Sequence, residues 1–408
     1  MDANPLVQLL AHQPCIILDG AMGTELEARG IVINGSRLWS SQLLLDNPDV
    51  LREIHLAYLR AGADVVTTAT YQASVEGFVA AGVAAEAVPG LLQLAVRLAD
   101  EARQQAWQEQ QQQQGVGNEA APGIGGTGRR QRPLLGLSCG SYGACLCDGS
   151  EFSGAFLPTV TRQQLADWHS LRVRVAAACP QVDLLCFETI PALEEAAAVV
   201  QVLQQLQSGQ LEPLPPPQGP QARSAPEAPA EGGAGGQAAA GGALRPVPAW
   251  VSLSCRDAAL TCAGDSWADQ VVPLLWGCDL VAGIGVNCTS PAAVPGLMDA
   301  AAKKLALLEQ LRAEGVTSRL AELHGAELAA AAASRTAPAP VLLVYPNSGE
   351  AFDGEKRCWV DAAGNAAEAQ TFAEQARVWV QAGARAVGGC CRTGPDHIRH
   401  LRATLLAP

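Results

Sequence analysis

The sequence predicts an α/β fold, a single (β/α)8 barrel of the TIM type. Eight short apolar runs rich in Val, Ile and Leu recur along the 408-residue chain, at 15–19, 64–69, 133–138, 182–187, 249–254, 280–286, 341–345 and 385–389. Each run is followed by a segment with helical periodicity, and a succession of eight strand-helix units is typical of a closed barrel. The runs are apolar at consecutive positions, which indicates parallel strands that are buried on both faces.

The clearest helices follow these strands and are predicted at 48–61, 161–178, 192–207, 266–276, 291–307, 368–382 and 395–405. Several of them have a proline near the first turn, where the missing N–H group needs no partner. An open, doubly wound sheet is the alternative, because periodicity does not by itself establish closure. The turn after the first strand, DGAMGTE at 19–25, lacks the G-x-G-x-x-G spacing of a dinucleotide-binding sheet, which favours the barrel.

Three low-complexity segments interrupt one barrel domain that spans 1–408, and they lie at 107–131, 211–247 and 315–339. The first is rich in Gln and Gly and the second in Pro, Gly and Ala, so neither buries enough apolar surface to order itself. The third is rich in Ala and is expected to be partly helical. Each lies between a helix and the next strand, which predicts disordered insertions on the N-terminal face of the barrel, away from the active site.

The bulk composition is that of a well-packed enzyme. The chain is 49% apolar and 16% charged, with a formal net charge of −13. This charge and the lack of a basic stripe argue against nucleic acid or an anionic membrane surface as a partner and favour small-molecule substrates. No apolar run reaches the roughly 18 to 20 residues of a membrane span, and the first residues resemble neither a signal peptide nor a transit peptide, which predicts a cytoplasmic protein.

Three of the thirteen cysteines stand at the predicted carboxyl ends of two strands, where the chemistry of barrel enzymes takes place. Cys288 ends GIGVNC after the sixth strand, and Cys390 and Cys391 follow the eighth strand in AVGGCC. Three thiolates fill three corners of a tetrahedral zinc site and leave the fourth open, which is typical of a catalytic zinc. Adjacent cysteines point to opposite faces of a regular strand, so both reach one ion only if the chain bends at Gly388-Gly389.

The alternative is that these residues are ordinary buried thiols, since free cysteine is among the most buried residue types. Cys145 and Cys147 form a C-x-C pair on a predicted loop at the same face, but they lack a second ligand pair and are interpreted as spectator thiols. His397, in the last predicted helix, is expected to cap that helix or to lie at the surface. A fourth protein ligand would block the open position.

Two acidic residues also stand at strand ends. Asp19 follows the first strand and Glu188 the fourth, so both carboxylates are predicted to point into the barrel mouth, where they are suited to hold a substrate ammonium group. The alternative roles are structural: Asp19 caps the DGAMGT turn and Glu188 caps the next helix. The convergence of two carboxylates and three thiols on one rim favours the functional interpretation.

Several segments resemble the zinc-dependent homocysteine S-methyltransferases, namely LDGAMGTELEARG (18–30), TTATYQAS (67–74), FETIPALEEA (187–196), GIGVNCTSP (283–291), LVYPNSGE (343–350) and GGCCRTGPDHI (388–398). The resemblance runs through all eight predicted units, and GVNC together with GGCC is its diagnostic element. It implies a (β/α)8 barrel in which the three cysteines bind one Zn²⁺ and the two carboxylates contact homocysteine. Asn287 is implied to support the loop that carries the metal.

The resemblance also implies a reaction. DGAMGTELE is similar to the branch that uses S-methylmethionine, or S-adenosylmethionine less well, to convert homocysteine into methionine. Tyr71, Tyr345 and Phe187 stand near strand ends and are expected either to form cation–π walls for the sulfonium donor or to pack in the core. Two other functions stay open on this evidence: a selenocysteine or selenohomocysteine methyltransferase, and a non-catalytic barrel that binds zinc or an amino acid.

Overall fold

The fold is a barrel of eight parallel strands, as predicted. The computed structural model describes residues 4–33, 36–116, 130–215, 244–349, 351–353, 358–360 and 369–406. In chain order the described strands are β1 (Ile16–Ile17), β2 (Val65–Thr67), β3 (Leu134–Gly140), β4 (Leu184–Ile190), β5 (Ala249–Leu253), β6 (Val281–Asn287), β7 (Val341–Tyr345), β8 (Ala351–Asp353), β9 (Cys358–Val360) and β10 (Ala386–Val387). Strands β8 and β9 pair with each other in a separate antiparallel sheet. The others pair in the order β1-β10-β7-β6-β5-β4-β3-β2, and a parallel bridge between Leu18 and Val65 joins the two ends, so the open-sheet alternative is wrong.

The helices surround these strands, and every predicted helix is present. They are α1 (Pro5–Leu10), α2 (Met22–Ala28), α3 (Leu43–Asp46), α4 (Pro48–Ala61), α5 (Val75–Ala80), α6 (Val88–Val116), α7 (Tyr142–Leu146), α8 (Arg162–Ala178), α9 (Leu193–Gln207), α10 (Val272–Trp276), α11 (Val294–Ala313), α12 (Thr317–His324), α13 (Ala326–Ser334), α14 (Ala369–Gln381) and α15 (Pro395–Leu406). A π-helical turn, Trp267–Val271, leads into α10. None of the helices in the described residues has the length and apolar character needed to cross a bilayer.

The lower end of the barrel is closed by α1, which the sequence analysis did not predict. Leu6 and Leu9 of this helix are buried in one cluster with strand side chains such as Trp250. Asn4, at the start of the helix, donates a hydrogen bond to the Ala282 carbonyl near the beginning of β6, over 3.0 Å. A larger apolar cluster packs between the strands and the outer helices. The substrate site is therefore confined to the opposite, carboxyl end of the strands.

Each predicted insertion ends beside an arginine that binds a backbone carbonyl group just after a barrel helix. The contacts are Arg130 to Gly62 O (3.0 Å), Arg245 to Cys179 O (2.7 Å) and Arg335 to Cys278 O (3.3 Å). The last carbonyl groups of a helix lack partners within it, and its C-terminal end attracts a cation. The C-terminal ends of barrel helices lie at the face where the strands begin, which is the N-terminal face of the barrel. Since the arginines contact these helix ends, the described ends of all three insertions lie on that face.

The extent of disorder predicted for the insertions is partly wrong. Residues 107–116 continue α6 as regular helix, because Gln is a good helix former. The Arg60 guanidinium of α4 also makes two hydrogen bonds with Glu109, of 2.9 and 2.7 Å, that hold the extension in place. The partly helical character expected of the third insertion is confirmed by α12 and α13. Residues 117–129 and 216–243, where the remaining predicted disorder falls, lie outside the described residues.

The second insertion should be removable without loss of activity. We expect that replacing residues 216–243 by a short Gly/Ser linker leaves the kinetic constants unchanged, because loop length costs only about 0.6 kcal/mol per doubling and this loop starts and ends opposite the site. By contrast, Arg245→Ala should lower the free energy of unfolding by about 1–3 kcal/mol, since it deprives two carbonyls at the end of α8 and one just before β4 of a charged donor. Denaturant melts and steady-state kinetics check both variants. A large rise in KM in the linker variant would contradict the placement.

Candidate metal and substrate site

A cavity of about 1390 Å³ opens at the carboxyl ends of the barrel strands. It is lined by all six residues that the sequence analysis selected, namely Asp19, Glu188, Asn287, Cys288, Cys390 and Cys391. These residues come from four barrel strands, β1, β4, β6 and β10, or from the turns that follow them. The parallel sheet thus brings together side chains that lie up to several hundred residues apart in sequence.

The three thiols are spaced for one tetrahedral metal ion. Cys391 Sγ lies 3.8 Å from Cys288 Sγ and 4.0 Å from Cys390 Sγ, and all three sulfurs lie within 4.8 Å of one another. A zinc–sulfur distance of about 2.3 Å in tetrahedral geometry requires sulfur–sulfur distances of about 3.8 Å. Among the described residues no other histidine, cysteine or acid joins this group. The donor set therefore fits a zinc ion with three protein ligands and a fourth position toward the cavity.

The bend expected between the strand and the paired cysteines is present. Strand β10 ends at Val387, and the two glycines that follow lie too close to their neighbours to carry side chains. A Cβ atom on Gly388 would stand 2.6 Å from Leu18 Cβ, and one on Gly389 would stand 2.2 Å from Thr393 Oγ1. These glycines let the chain leave the strand tightly, so that the Cys390 and Cys391 sulfurs both face Cys288.

Asn287 holds the end of β6 in place, and its side chain also hydrogen-bonds to Cys390 of the three thiols. Its side-chain oxygen accepts hydrogen bonds from the Thr189 N–H and the Ser252 hydroxyl, both over 2.8 Å. Its amide nitrogen donates to Thr189 Oγ1 over 2.8 Å, and the residue is buried. The amide thus ties β4, β5 and β6 together directly before Cys288, which has a left-handed φ of +47°.

Removing this amide should loosen the metal loop. We expect Asn287→Ala to weaken zinc binding roughly 10- to 100-fold, as loss of an outer-shell partner typically does. It should also lower the free energy of unfolding by about 1–3 kcal/mol, because buried donors lose their acceptor. Competition with a chelator of known affinity measures the first effect. Arg245→Ala, destabilised on the opposite face, is the control that separates the two effects, and equal zinc affinity in both variants would contradict this role.

The two acids are half-buried and incompletely neutralised. Asp19 Oδ2 accepts hydrogen bonds from the Thr67 N–H and hydroxyl, over 2.7 and 3.0 Å, yet burial raises the pKa of Asp19 to about 7. Burial likewise raises the pKa of Glu188 to about 8, and its Oε1 has no hydrogen-bond partner among the described residues. A substrate cation would restore the ionised form of both.

The helix-capping alternatives for these acids are wrong. Helix α2 begins after Ala21 and helix α9 after Ala192, and the Leu193 N–H at the start of α9 donates to Asp265 Oδ2 over 2.7 Å. Asp19 and Glu188 therefore do not cap the helices that follow them. Both carboxyl groups instead line the cavity that contains the cysteines.

Backbone strain is concentrated around the same cavity. In the described part of the chain, the non-glycine residues with φ in the left-handed region are Trp39, Cys147, Thr189, Cys288 and Arg392. All five line the cavity. Such conformations cost about 1–3 kcal/mol each and persist only where the surrounding structure enforces them, which is typical of functional sites.

The expected aromatic walls are only partly present. Tyr71 and Tyr345 line the cavity, and the Tyr345 hydroxyl is held by the Trp250 indole N–H over 3.1 Å. Phe187 does not reach the cavity; it is fully buried and its ring packs against His169 with centroids 5.4 Å apart. The core-packing alternative therefore applies to Phe187.

Cys145, Cys147 and His397 lie outside the metal group of the described residues, as predicted. His397 Nδ1 accepts a hydrogen bond from the Gly394 N–H over 3.3 Å at the start of α15, which is a capping role. The sequence analysis missed Glu151, a buried acid that lines the cavity from the loop after β3. Its one sequence signal was its position on a polar loop at this face.

Comparison with known proteins gives consistent results over the whole barrel. Residues 16–405 match the sequence model of the family described as homocysteine S-methyltransferase. The chain is 31% identical to Homocysteine S-methyltransferase 1 of Zea mays, over 96% of this chain and 94% of that protein. It is also 31% identical to the Selenocysteine Se-methyltransferase of Brassica oleracea var. italica, over 96% and 89% of the two chains. Among solved structures, the metallated form of the homocysteine methyltransferase MmuM from Escherichia coli superposes with a TM-score of 0.66 at 29% identity, covering 98% of this chain and 99% of that one.

Proposed function

Because this chain belongs to the homocysteine S-methyltransferase family, we propose that it is a zinc-dependent enzyme that methylates homocysteine from a sulfonium donor to form methionine. The proposed donor is S-methylmethionine, with S-adenosylmethionine as a poorer one. The observation that carries the proposal is the cysteine trio, with its tetrahedral spacing, in one cavity with two half-buried carboxylates.

The metal chemistry would depend on Cys288, Cys390 and Cys391. A zinc ion bound there would lower the pKa of the incoming homocysteine thiol, which ionises poorly at neutral pH on its own. Hydrogen bonds from Cys288 and Cys391 hold the pKa of the Cys390 thiol well below its usual value, so the trio readily supplies its first thiolate. Three thiolates need a reducing compartment, and the proposal therefore includes a cytoplasmic location.

The amino-acid part of homocysteine would be held by the two acids. Asp19 and Glu188 are half-buried and have no cation partner among the residues that the structure describes, so an α-ammonium group gains charge-assisted hydrogen bonds there without displacing one of those cations. Thr67 fixes the Asp19 carboxylate from one side, which leaves its other oxygen for the substrate. This arrangement fixes the direction in which the homocysteine side chain extends.

The methyl transfer is a displacement at carbon that needs no general base in the transfer itself. A lone pair of the homocysteine sulfur forms the new S–CH₃ bond, and the donor S–CH₃ bond breaks with its electron pair going to the donor sulfur. The thiol proton of homocysteine is released to solvent, and S-methylmethionine leaves as a second methionine. Tyr71 lines the cavity, where its ring is suited to face the positive donor sulfur.

The proposal is tested by incubating the purified, reduced protein with homocysteine and methyl-labelled S-methylmethionine, before and after zinc removal. Labelled methionine that disappears on chelation and returns with added zinc is the expected result. A folded, zinc-loaded protein that transfers no label would exclude this reaction.

A selenium acceptor is the second candidate, favoured by the 31% identity to the Selenocysteine Se-methyltransferase. Selenols ionise more readily than thiols, so the same site would accept them. Competition between homocysteine and selenocysteine in one assay measures the ratio of their kcat/KM values, which decides the acceptor. The non-catalytic alternative is disfavoured by membership of an enzyme family.

A further inference from the structure

The cavity contains a buried acid, Glu151, that the proposed reaction has not yet used. Glu151 lies in the short 3₁₀ turn Ser150–Phe152 after α7, and only 9% of the residue is exposed. Its Oε2 has no hydrogen-bond partner in the described part of the chain, and the residue lines the cavity. A buried carboxylate without a partner is costly, so a protein retains one where a ligand supplies the missing contact.

The backbone under Glu151 is fixed. The Ser254 hydroxyl donates a hydrogen bond to the Glu151 carbonyl over 3.0 Å. On the other side, a Cβ atom on Gly143 would stand 2.5 Å from the Glu151 nitrogen, so α7 packs directly on this turn. The carboxyl group is therefore held in place by its main chain rather than by a side-chain partner.

Glu151 is separate from the pair of acids proposed to bind homocysteine. The pKa of Glu188 is raised by burial and then by the charges of Asp19 and Cys390, whereas the pKa of Glu151 is raised to about 7 by burial and then by Asp148. The acids thus belong to two different electrostatic environments within one cavity.

Tyr71 connects the two environments. Burial raises the pKa of its hydroxyl, and the next contributions come from the charges of Glu151 and Cys288. The phenol therefore interacts electrostatically with Glu151 and with the metal trio, and all of these residues line one cavity. A ligand held at Glu151 would extend past the Tyr71 ring toward the cysteines.

We propose that Glu151 forms a donor subsite, in which its carboxylate binds the α-ammonium group of an amino-acid sulfonium. This inference rests on the proposed function, since it assigns the second substrate of that reaction. The sulfonium and the α-ammonium of such a donor are separated by a short carbon chain, so one end lies at Tyr71 while the other reaches Glu151. Recognition of the amino group then selects amino-acid sulfonium compounds over simple ones.

The test uses two donors and two variants of the full, zinc-loaded protein. S-Methylmethionine carries the α-ammonium group, and dimethylsulfoniopropionate has the same dimethylsulfonium and carboxylate groups without it. Glu151→Gln removes the charge but keeps the shape. Glu27→Gln is the matched control, because Glu27 is an exposed acid on the rim of the same cavity and has no role in the proposal.

We expect Glu151→Gln to raise the calorimetric Kd of S-methylmethionine roughly 30-fold or more, the usual cost of losing one partner of a buried charge pair. Its kcat/KM for this donor should fall by a similar factor, while KM for homocysteine stays within about twofold and Glu27→Gln behaves as the wild type. Dimethylsulfoniopropionate should bind the wild type and Glu151→Gln equally weakly.

The possible outcomes separate the subsite from the reaction. Binding of S-methylmethionine that depends on Glu151, without methyl transfer, would support the subsite and overturn the proposed function. Methyl transfer with the same kcat/KM in the wild type and Glu151→Gln would support the proposed function and overturn the subsite. The subsite would also be overturned if Glu151→Gln weakened the binding of both donors equally. It would be overturned as well if S-methylmethionine did not bind the wild type.

Discussion

Cys288→Ala and Cys391→Ala should each lose bound zinc and turnover together while the barrel stays folded. Removing one of three ligands leaves an incomplete site at the cavity wall, and the thiol nucleophile then depends on its own ionisation. The expected loss of turnover is roughly a thousand-fold, which corresponds to the several kcal/mol that a catalytic metal supplies. Zinc content by elemental analysis, methionine formation and thermal unfolding are measured on the same samples.

The control for these variants is Cys262→Ala. Cys262 is half-buried like the trio but does not line the cavity, so its loss tests the effect of removing a thiol as such. This variant should keep its zinc and its turnover. Stoichiometric zinc and normal turnover in Cys288→Ala or Cys391→Ala would refute the assignment of the metal ligands.

Glu188→Gln should reduce kcat/KM for homocysteine roughly 30- to 1,000-fold while zinc stays bound, because the amide cannot neutralise the substrate ammonium group. The loss should depend on pH. The pKa of Glu188 is raised to about 8, so the free wild type carries the ionised, binding form mainly above that pH. The ratio of wild-type to variant kcat/KM should therefore increase from pH 6.5 to pH 8.5. Because both proteins are measured with the same substrate, the effect of homocysteine ionisation on kcat/KM cancels in the ratio. A ratio that does not change with pH would contradict the role of Glu188.

Although Glu188→Gln should lower activity, it should raise the stability of the folded protein. A carboxyl group whose folded pKa is raised from 4.5 to about 8 loses its contribution to stability progressively as pH rises through that range. Glu188→Gln removes this penalty. Its unfolding temperature, measured without substrate, should exceed that of the wild type by more at pH 8.5 than at pH 5.5. A variant less stable than the wild type at the higher pH would indicate that Glu188 has a structural partner.

The barrel was predictable because each strand has a signal of its own. A short run of consecutive apolar residues before a helical pattern identifies each buried parallel strand, and the eight runs coincide with the eight observed strands. The strand ends then indicate which polar residues meet, which is why Asp19 and Glu188 were predicted to share a rim with Cys288. This inference needs only the direction of the strands and no knowledge of loop conformation.

Other features depend on information that the sequence pattern does not contain. Glu151 is buried because the loop after β3 folds back on Ser254, a contact between residues about a hundred positions apart. The Gln-rich extension of α6 was taken for disorder because composition alone does not reveal its pairing with Arg60. The two alternatives left open for Phe187 could have been decided from the sequence: Glu188 points inward, and its neighbour on a strand must then point outward.

The three arginines at the ends of the insertions have a consequence for how this protein tolerates change. Each one fastens the chain to the base of the barrel just before the next strand begins, so the strand starts from a fixed point whatever length of chain precedes it. A reporter domain or an immobilisation tag placed between residues 215 and 244 would thus be attached on the side remote from the cysteines. The enzyme offers a natural attachment point for biosensors of sulfur amino acids, provided that Arg245 is retained.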